Sequence, residues 1–187
     1  NKNSRNIVHL LRSRYDCILS TSKSINQDNS LLNCRINGLN NNKPDLFIID
    51  LKLKLRKKLS LKNYSKVRKI FLITNKDNLH KTSAYKKLGY KFIFINKLED
   101  KNDFNSLFKQ IYKIGYSRLL VEAGLTFLNS LINNKLIHDL FIFKSNKKLG
   151  MYGKNNDTSN YLKKIHPKLL TINLNGDKLL KKDFYYV

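Results

Sequence analysis

Three continuous apolar runs are the feature of this 187-residue sequence that most constrains its fold. They are DLFIID at 45–50, KIFLIT at 69–74 and KFIFI at 91–95. A strand with one wet face alternates apolar and polar residues, whereas a strand covered on both faces is apolar throughout. Helical spacing at 83–88 and 102–114, closed by Gly89 and Gly115, lies between and after these runs. Strands that alternate with helices predict an α/β fold with a mostly parallel sheet and crossover helices.

The rest of the chain extends this pattern at both ends. A helix is predicted at 4–15, a strand at 16–20 and a polar turn at 21–30. Further on, we predict a strand at 117–123, a helix at 124–136, a strand at 138–145 and a short helix at 159–165. Two last strands, at 168–174 and 178–187, join at Asn175 and Gly176 as a hairpin that adds antiparallel edge strands to the sheet. The segments 37–43 and 150–159 are predicted loops.

Length and cysteine content favour one compact domain in a reducing compartment. The 41% hydrophobic content is enough for one core, so residues 1–187 are expected to form a single domain. No run reaches the ~20 apolar residues of a membrane span, and no secretory signal pattern opens the sequence. Two cysteines, Cys17 and Cys34, are too few for a secreted disulfide scaffold, which makes the cytoplasm the expected location.

The formal charge of +24 has two interpretations. A basic patch would indicate a nucleic-acid-binding module. However, the excess is nearly all lysine, is scattered along the chain and accompanies abundant Asn and Ile, as expected of an A- and T-rich genome. We favour this second interpretation and expect neither a nucleic-acid nor a membrane partner. A positive field would still attract phosphorylated substrates.

The segment SRLLVEAGLTFLNS at 117–130 resembles a phosphate-binding junction. A strand leads into Glu122, the chain turns at Gly124, and a helix opens at Leu125 and Thr126. The first amides of a helix have no internal partners and favour an anion. Glu122, at the carboxyl end of a strand, could accept hydrogen bonds from a substrate. Taken alone, both features also suit an ordinary strand-to-helix turn.

A polar cluster at 12–35 is the second candidate region. Arg12 and Arg35 could bind a phosphate, and Asp28 could accept a ribose hydroxyl or cap a helix. Each residue alone also suits a surface role. The sequence has no G-x-G-x-x-G or G-x-x-x-x-G-K-[ST] motif, no metal-ligand cluster and no catalytic triad pattern. His9 is predicted to lie on a helix surface.

Together these segments resemble the reductase domain of the bifunctional riboflavin-biosynthesis deaminase-reductase. The resemblance is carried by V-H-L-L-R-S-x-Y-D-C-I-L-S at 8–20, S-I-N-Q-D-N-S-L-L-N-C-R at 24–35, L-F-I-I-D at 46–50 and L-L-V-E-A-G-L-T-F-L-N-S-L-I at 119–132. It continues through L-I-H-D-L-F-I-F at 136–143 to K-K-L-G at 147–150. The resemblance implies a dihydrofolate-reductase-like fold, a homodimer and NADPH as cofactor. The implied reaction converts the ribosylamino group of 5-amino-6-(5-phosphoribosylamino)uracil to a ribitylamino group by hydride transfer to the sugar C1.

The resemblance also implies site residues, with no acid-base catalyst and no metal among them. The residues expected at the substrate are Arg12, Leu32, Arg35 and Glu122. The residues expected at NADPH are Ser24, Asp28, Gly124, Leu125, Thr126, Phe127, Leu128, Asn129 and Ser130.

Several positions depart from the family pattern. Ser24 stands where the family usually has Thr, and Leu125 stands where it usually has Pro. Leu51 stands where the family often has a Ser that contacts the cofactor. Lys76 is the candidate for the cofactor 2′-phosphate. The family's zinc deaminase half and its first reductase strand are expected to be missing from this sequence. A non-catalytic, dimerising remnant of the domain therefore stays open as an alternative, as does the nucleic-acid-binding module.

Overall fold

The computed structural model describes residues 1–41, 44–147 and 165–186 as two compact units. The larger unit is His9–Gly124, and the smaller unit combines Asn1–Val8 with Leu125–Val187. Helix α1 (Lys2–Arg14) begins in the smaller unit and ends in the larger one. Within the described ranges, every helix is too short or too polar to cross a membrane.

A five-stranded, all-parallel sheet forms the larger unit. Its strands lie in the order β4-β3-β2-β1-β5. Their bounds are β1 (Cys17–Thr21), β2 (Asp45–Ile49), β3 (Ile70–Asn75), β4 (Lys91–Ile95) and β5 (Leu119–Val121). The parallel sheet predicted from the apolar runs is confirmed.

Short helices connect these strands. They are α2 (Ser22–Asp28), two 3-10 helices (Ser60–Tyr64 and Lys76–Lys81), α3 (Ser83–Lys87) and α4 (Lys101–Lys113). Asp100 begins α4 with a capping box, in which its side chain and that of Asp103 each accept a main-chain amide of the other's turn. The helices α3 and α4 lie close to their predicted positions.

The core of the larger unit consists of the strand runs and the helix faces that cover them. Ile18, Leu46, Ile48, Ile70 and Leu72 are all fully buried. Burial of both faces of β1, β2 and β3 explains why these strands lack polar alternation. The hydrophobic effect therefore fixes which strands are central.

Strand order brings distant parts of the sequence to one sheet edge. Strand β1 pairs with β2 on one side and with β5 on the other. Because all strands are parallel, their carboxyl ends meet at the same edge. The residues that follow these strands, including Ser22, Asp50 and Glu122, are therefore placed along this edge, where α/β sheets bind ligands.

The prediction of a polar turn at 21–30 is wrong, because α2 occupies most of it. Thr21 caps this helix by accepting a hydrogen bond from the Ser24 amide at 3.3 Å. Ile25 is the buried residue that anchors it. Seven residues with one buried side chain give almost no helical periodicity, so the sequence pattern showed only polar character.

The smaller unit contains α5 (Leu125–Asn133) and a separate antiparallel sheet of β6 (Asp139–Lys144), β7 (Lys168–Leu174) and β8 (Asp177–Asp183). Asn175 and Gly176 both have positive φ, as a two-residue hairpin turn requires, and this confirms the hairpin. The expectation that it extends the parallel sheet is wrong, because β8 pairs with β6 instead. The predicted loop at 150–159 and all but the last residue of the predicted helix at 159–165 lie outside the described residues.

Candidate functional site

An ion pair between Arg12 and Glu122 is the centre of the polar cluster in the larger unit. Arg12 Nε donates to Glu122 Oε1 and Arg12 Nη2 donates to Oε2, both at 2.7 Å. The two side chains are only 12% and 23% exposed, so water screens the pair weakly. The sequence predicts both residues in the site, and the structure brings them together as partners.

Glu122 is held from behind by strand β1. The Glu122 amide donates to the Leu19 carbonyl at 3.0 Å, and Ser20 Oγ donates to the carbonyl oxygen of Glu122 at 2.6 Å. Glu122 follows the last residue of β5, so these contacts continue the sheet pairing by one residue. The backbone beneath the carboxylate is therefore fixed.

The main-chain oxygen of Asn33 joins α1 to the segment that carries Arg35. It lies 3.0 Å from His9 Nδ1 and accepts a hydrogen bond from Arg12 Nη1 at 3.1 Å. On the far side of the imidazole, Nε2 lies 3.4 Å from Arg35 Nη2. His9 is only 8% exposed, so the prediction that it lies on the helix surface is wrong. Its face of α1 is covered by the segment at 31–35.

Asn33 itself is 3% exposed, and its Oδ1 has no hydrogen-bond partner among the described residues. A buried acceptor without a donor is costly in a folded protein. Such atoms commonly mark a place where a ligand or water completes the hydrogen bonding. This acceptor lies on the same residue whose carbonyl receives His9 and Arg12.

A buried arginine fixes the backbone of the same segment. Arg68, 6% exposed, donates to the carbonyls of Leu32 at 2.8 Å and Pro44 at 3.0 Å, and also to that of Leu31. Leu32 has φ 49°, a conformation that a leucine adopts only under constraint. Burial lowers the pKa of Arg68 to about 10. The predicted substrate residue Leu32 is therefore itself buried, with its carbonyl used by Arg68.

Ser24 and Gly124, predicted cofactor residues 100 positions apart, are in contact. The Gly124 amide donates to Ser24 Oγ at 3.2 Å, and Ser24 Oγ lies 3.1 Å from Thr21 Oγ1. Gly124 does not have a positive φ, and an added Cβ would meet only Ser24 Oγ, at 3.8 Å. Neither dihedral angle nor crowding within the protein thus requires glycine at this position.

The other predicted cofactor residues occupy α2 and α5. Asp28 is the exposed last residue of α2, so it does not cap that helix at its start. Leu125 opens α5, and the predicted residues through Ser130 form its first two turns. The structure confirms the predicted strand-to-helix junction, with the helix starting directly after Gly124.

A basic groove lies beside α2. Its lining residues are Ser22, Lys23, Asn26, Gln27, Lys54 and Arg56. Asp50, buried at the end of β2, shapes the loop on one side by accepting the amides of Lys54 at 2.8 Å and Leu55 at 2.7 Å. Asn26 ties this loop to α2 by donating to the Lys54 carbonyl at 2.9 Å. The predicted phosphate contact Lys76 instead begins a 3-10 helix after β3 and does not line the groove.

Three residues of the cluster were not predicted from the sequence: His9, Asn33 and Arg68. A lone histidine, asparagine or arginine carries no spacing signal of its own. The family resemblance includes His9 and Asn33 within matching stretches, and this was the only signal that could have identified them. Across the described ranges, no group of three His, Cys, Asp or Glu side chains is arranged to hold a metal ion.

Comparison with known proteins identifies the family to which this arrangement belongs. The sequence matches the RibD C-terminal domain family over residues 1–172. It is 29% identical over 164 residues to the riboflavin biosynthesis protein RibD of Buchnera aphidicola, covering 81% of this chain and 42% of that protein. The chain therefore spans less than half the length of that relative.

Solved structures share the fold. Acinetobacter baumannii RibD (form 2) superposes with a TM-score of 0.73 at 20% identity, covering 98% of this chain and 51% of that one. The Saccharomyces cerevisiae riboflavin biosynthesis reductase Rib7 gives 0.71 at 19%, covering 98% and 81%. A pyrimidine reductase-like protein from Corynebacterium diphtheriae gives 0.74 at 13%, covering 100% and 83%. With the family match over nearly its whole length, the chain belongs to the RibD C-terminal domain family, whose dihydrofolate-reductase-like fold it adopts.

Proposed function

We propose that this chain catalyses the NADPH-dependent reduction of 5-amino-6-(5-phosphoribosylamino)uracil in riboflavin biosynthesis. The observation that carries the proposal is the polar cluster at the carboxyl edge of the parallel sheet, where Arg12, Arg35 and Glu122 converge. Family membership supports the same proposal, as do the names of the relatives, which are RibD proteins and a riboflavin biosynthesis reductase.

Arg12 and Glu122 keep binding capacity despite their ion pair. An arginine has five N–H groups, of which Arg12 uses three here, so two are left for a substrate. The Glu122 carboxylate likewise accepts two bonds and has lone pairs to spare. We assign Glu122 to the polar edge of the pyrimidine or the ribose, with Arg12 holding it in place.

Arg35 is the better candidate for the substrate phosphate. Its side chain is exposed and has no ion-pair partner in the described parts of the chain. A guanidinium can bind two phosphate oxygens at once.

The reaction requires positioning more than acid-base catalysis. When bound, NADPH would supply a hydride to the C1 carbon of the ring-opened imine form of the sugar, whose C=N bond would become C–N as the nitrogen gained a proton from solvent. The residues of the chain hold that carbon still and orient it, which can account for a large part of the rate. This agrees with the lack of a recognisable acid-base constellation in the sequence.

The residues at the β5–α5 junction suit a dinucleotide. Glycine at 124 is not required by the protein's own packing, so it leaves room for a ligand to approach the backbone. We assign Ser24, Asp28 and the seven residues from Gly124 to Ser130 to NADPH, with the pyrophosphate at the start of α5.

The basic groove supports NADPH over NADH. Lys23, Lys54 and Arg56 bring three cations to the carboxyl ends of β1 and β2, where the extra 2′-phosphate of NADPH would gain from them. The loop held by Asp50 presents two of these cations, although Leu51 replaces the family's serine there. We prefer this groove to Lys76.

Calorimetric titration with NADPH and NADH tests the proposal, followed by turnover measured through NADPH absorbance with the phosphorylated substrate. We expect NADPH to bind more tightly than NADH. Gly124→Asp places a carboxylate at the expected pyrophosphate position and should abolish binding. Asn37→Asp adds the same charge to an exposed turn and should bind like the original protein. A folded chain that binds neither nucleotide would support the non-catalytic alternative.

A further inference from the structure

Two contacts on opposite sides of the His9 ring determine its protonation state. The Asn33 carbonyl, 3.0 Å from Nδ1, can only accept, so Nδ1 carries the proton. The Arg35 guanidinium, 3.4 Å from Nε2, can only donate, so Nε2 carries the lone pair. The ring is therefore neutral, in the Nδ1–H tautomer, and connects a fixed carbonyl to an exposed arginine.

We propose that His9 is a positioning residue that aims Arg35 at the phosphate of the substrate. The inference rests on the proposed function, since it presupposes that Arg35 binds that phosphate. The backbone of the segment is already fixed by Arg68, which leaves the long, exposed Arg35 side chain as its variable part. A lone pair at Nε2 restricts the rotamers that Arg35 samples before the substrate arrives.

The surroundings of His9 favour the neutral ring. Burial is the largest cause lowering the pKa of His9, and the cations Arg12 and Arg35 lower it further. The Asn33 carbonyl and the carboxylate of Glu122 act in the opposite direction but do not outweigh burial. An imidazolium at this position would present an N–H to Arg35, and the contact would be lost.

Two amide variants of His9 test the contacts of its two ring nitrogens separately. The amide nitrogen of asparagine takes the place of Nδ1, so His9→Asn can keep the bond to the Asn33 carbonyl and loses the acceptor for Arg35. The longer side chain of His9→Gln reaches the place of Nε2 and can offer its oxygen to Arg35. Both variants are neutral and similar in size, so each serves as a control for the other.

Steady-state kinetics with the phosphorylated substrate give the first readout. We expect His9→Asn to raise KM roughly threefold to tenfold, as loss of one ordinary hydrogen bond would, with kcat within about twofold. We expect His9→Gln to keep KM within about twofold of the original protein. A larger KM for His9→Gln than for His9→Asn would overturn the proposal.

A double-mutant cycle distinguishes positioning from general structural support. Arg35→Ala removes the group that His9 is proposed to orient. In that background, His9→Asn should leave KM unchanged, because its effect passes through the missing side chain. If His9→Asn raises KM by the same factor in both backgrounds, the histidine supports the fold instead.

Nuclear magnetic resonance tests the inference without turnover, so its failure can be told apart from failure of the proposed function. Nitrogen shifts of His9 should show the Nδ1–H tautomer, and an Nε2–H tautomer would refute the geometry. Relaxation of the Arg35 Nε–H should show greater mobility in His9→Asn than in His9→Gln. Equal mobility in both would overturn the positioning role. A chain that passes these tests and reduces no substrate would refute only the proposed function.

Discussion

Replacing Glu122 with glutamine should destabilise the larger unit through its pair with Arg12. The amide keeps one oxygen for the guanidinium but turns an NH2 group toward a second N–H donor. The two side chains are 12% and 23% exposed, so water cannot fully replace the lost bond. The Glu122 backbone is tied to β1 through Leu19 and Ser20, which prevents the side chain from moving away.

The expected cost lies between two known limits. Breaking a fully buried pair costs about 3–5 kcal/mol, whereas an exposed pair contributes about 0–1 kcal/mol. Because the Arg12–Glu122 pair is bidentate and both side chains are mostly covered, Glu122→Gln should lower the free energy of unfolding by about 2–3 kcal/mol. This is the value of one charge-assisted hydrogen bond. For a chain of this size, that lowers the unfolding midpoint by about 4–12 °C.

Urea denaturation and calorimetry of the two proteins measure this loss. Glu99→Gln is the matched control, because its carboxylate is 75% exposed and lies 3.8 Å from Lys97 Nζ. The control should unfold at the same midpoint as the original protein. If Glu122→Gln and Glu99→Gln behave alike, the Arg12–Glu122 pair does not stabilise the fold and our account of the site centre is wrong.

Three further predictions concern groups outside that pair. Hydrogen bonds, first of all from the Arg118 amide, lower the pKa of Asp16 from 3.8 to about 2. The contribution of Asp16 to stability should therefore be complete above about pH 4 and disappear as the pH falls toward 2. Across that pH range, the urea midpoint of Asp16→Asn should vary less than that of the original protein. Arg68→Met should cost about 2–4 kcal/mol, because buried carbonyls lose their donor; a denaturation midpoint that hardly moves would contradict this. Cys17 and Cys34 are buried, and burial raises the pKa of the Cys17 thiol to about 12. A thiol reagent should thus label either cysteine only as fast as the chain unfolds, so rapid labelling under native conditions would show that one of them is accessible.

The parallel sheet could be predicted because its signal is local. Each central strand is a short run of apolar residues, and burial of both faces imposes that run whatever the strand's neighbours are. Strand β2 at Asp45–Ile49 thus falls within one residue of the predicted 45–50. The second sheet was not predicted, because pairing of β8 with β6 depends on contacts about 40 residues apart, and periodicity contains no information on partners.

The site shows the same division between local and long-range information. Glu122 and Gly124 could be placed at a strand-to-helix junction because the junction is continuous in sequence. The partner of Glu122 is 110 residues away in the chain, and nothing in either segment specifies it. His9 and Arg68 are harder still, since each acts through main-chain carbonyls, which any residue can provide.

Pairing changes which arginine matters for an anionic substrate. From sequence, Arg12 and Arg35 are equivalent candidates for a phosphate. In the structure, the Glu122 carboxylate neutralises Arg12, and Arg68 is buried against main-chain carbonyls. Arg35 therefore supplies the exposed positive charge of the cluster. The overall charge of +24 draws anions to the whole surface, but it cannot select a position. On our proposal, the exposed guanidinium of Arg35 determines where the substrate phosphate binds. Arg68 fixes the backbone of the segment that carries Arg35, and the Nε2 lone pair of His9 orients the Arg35 side chain.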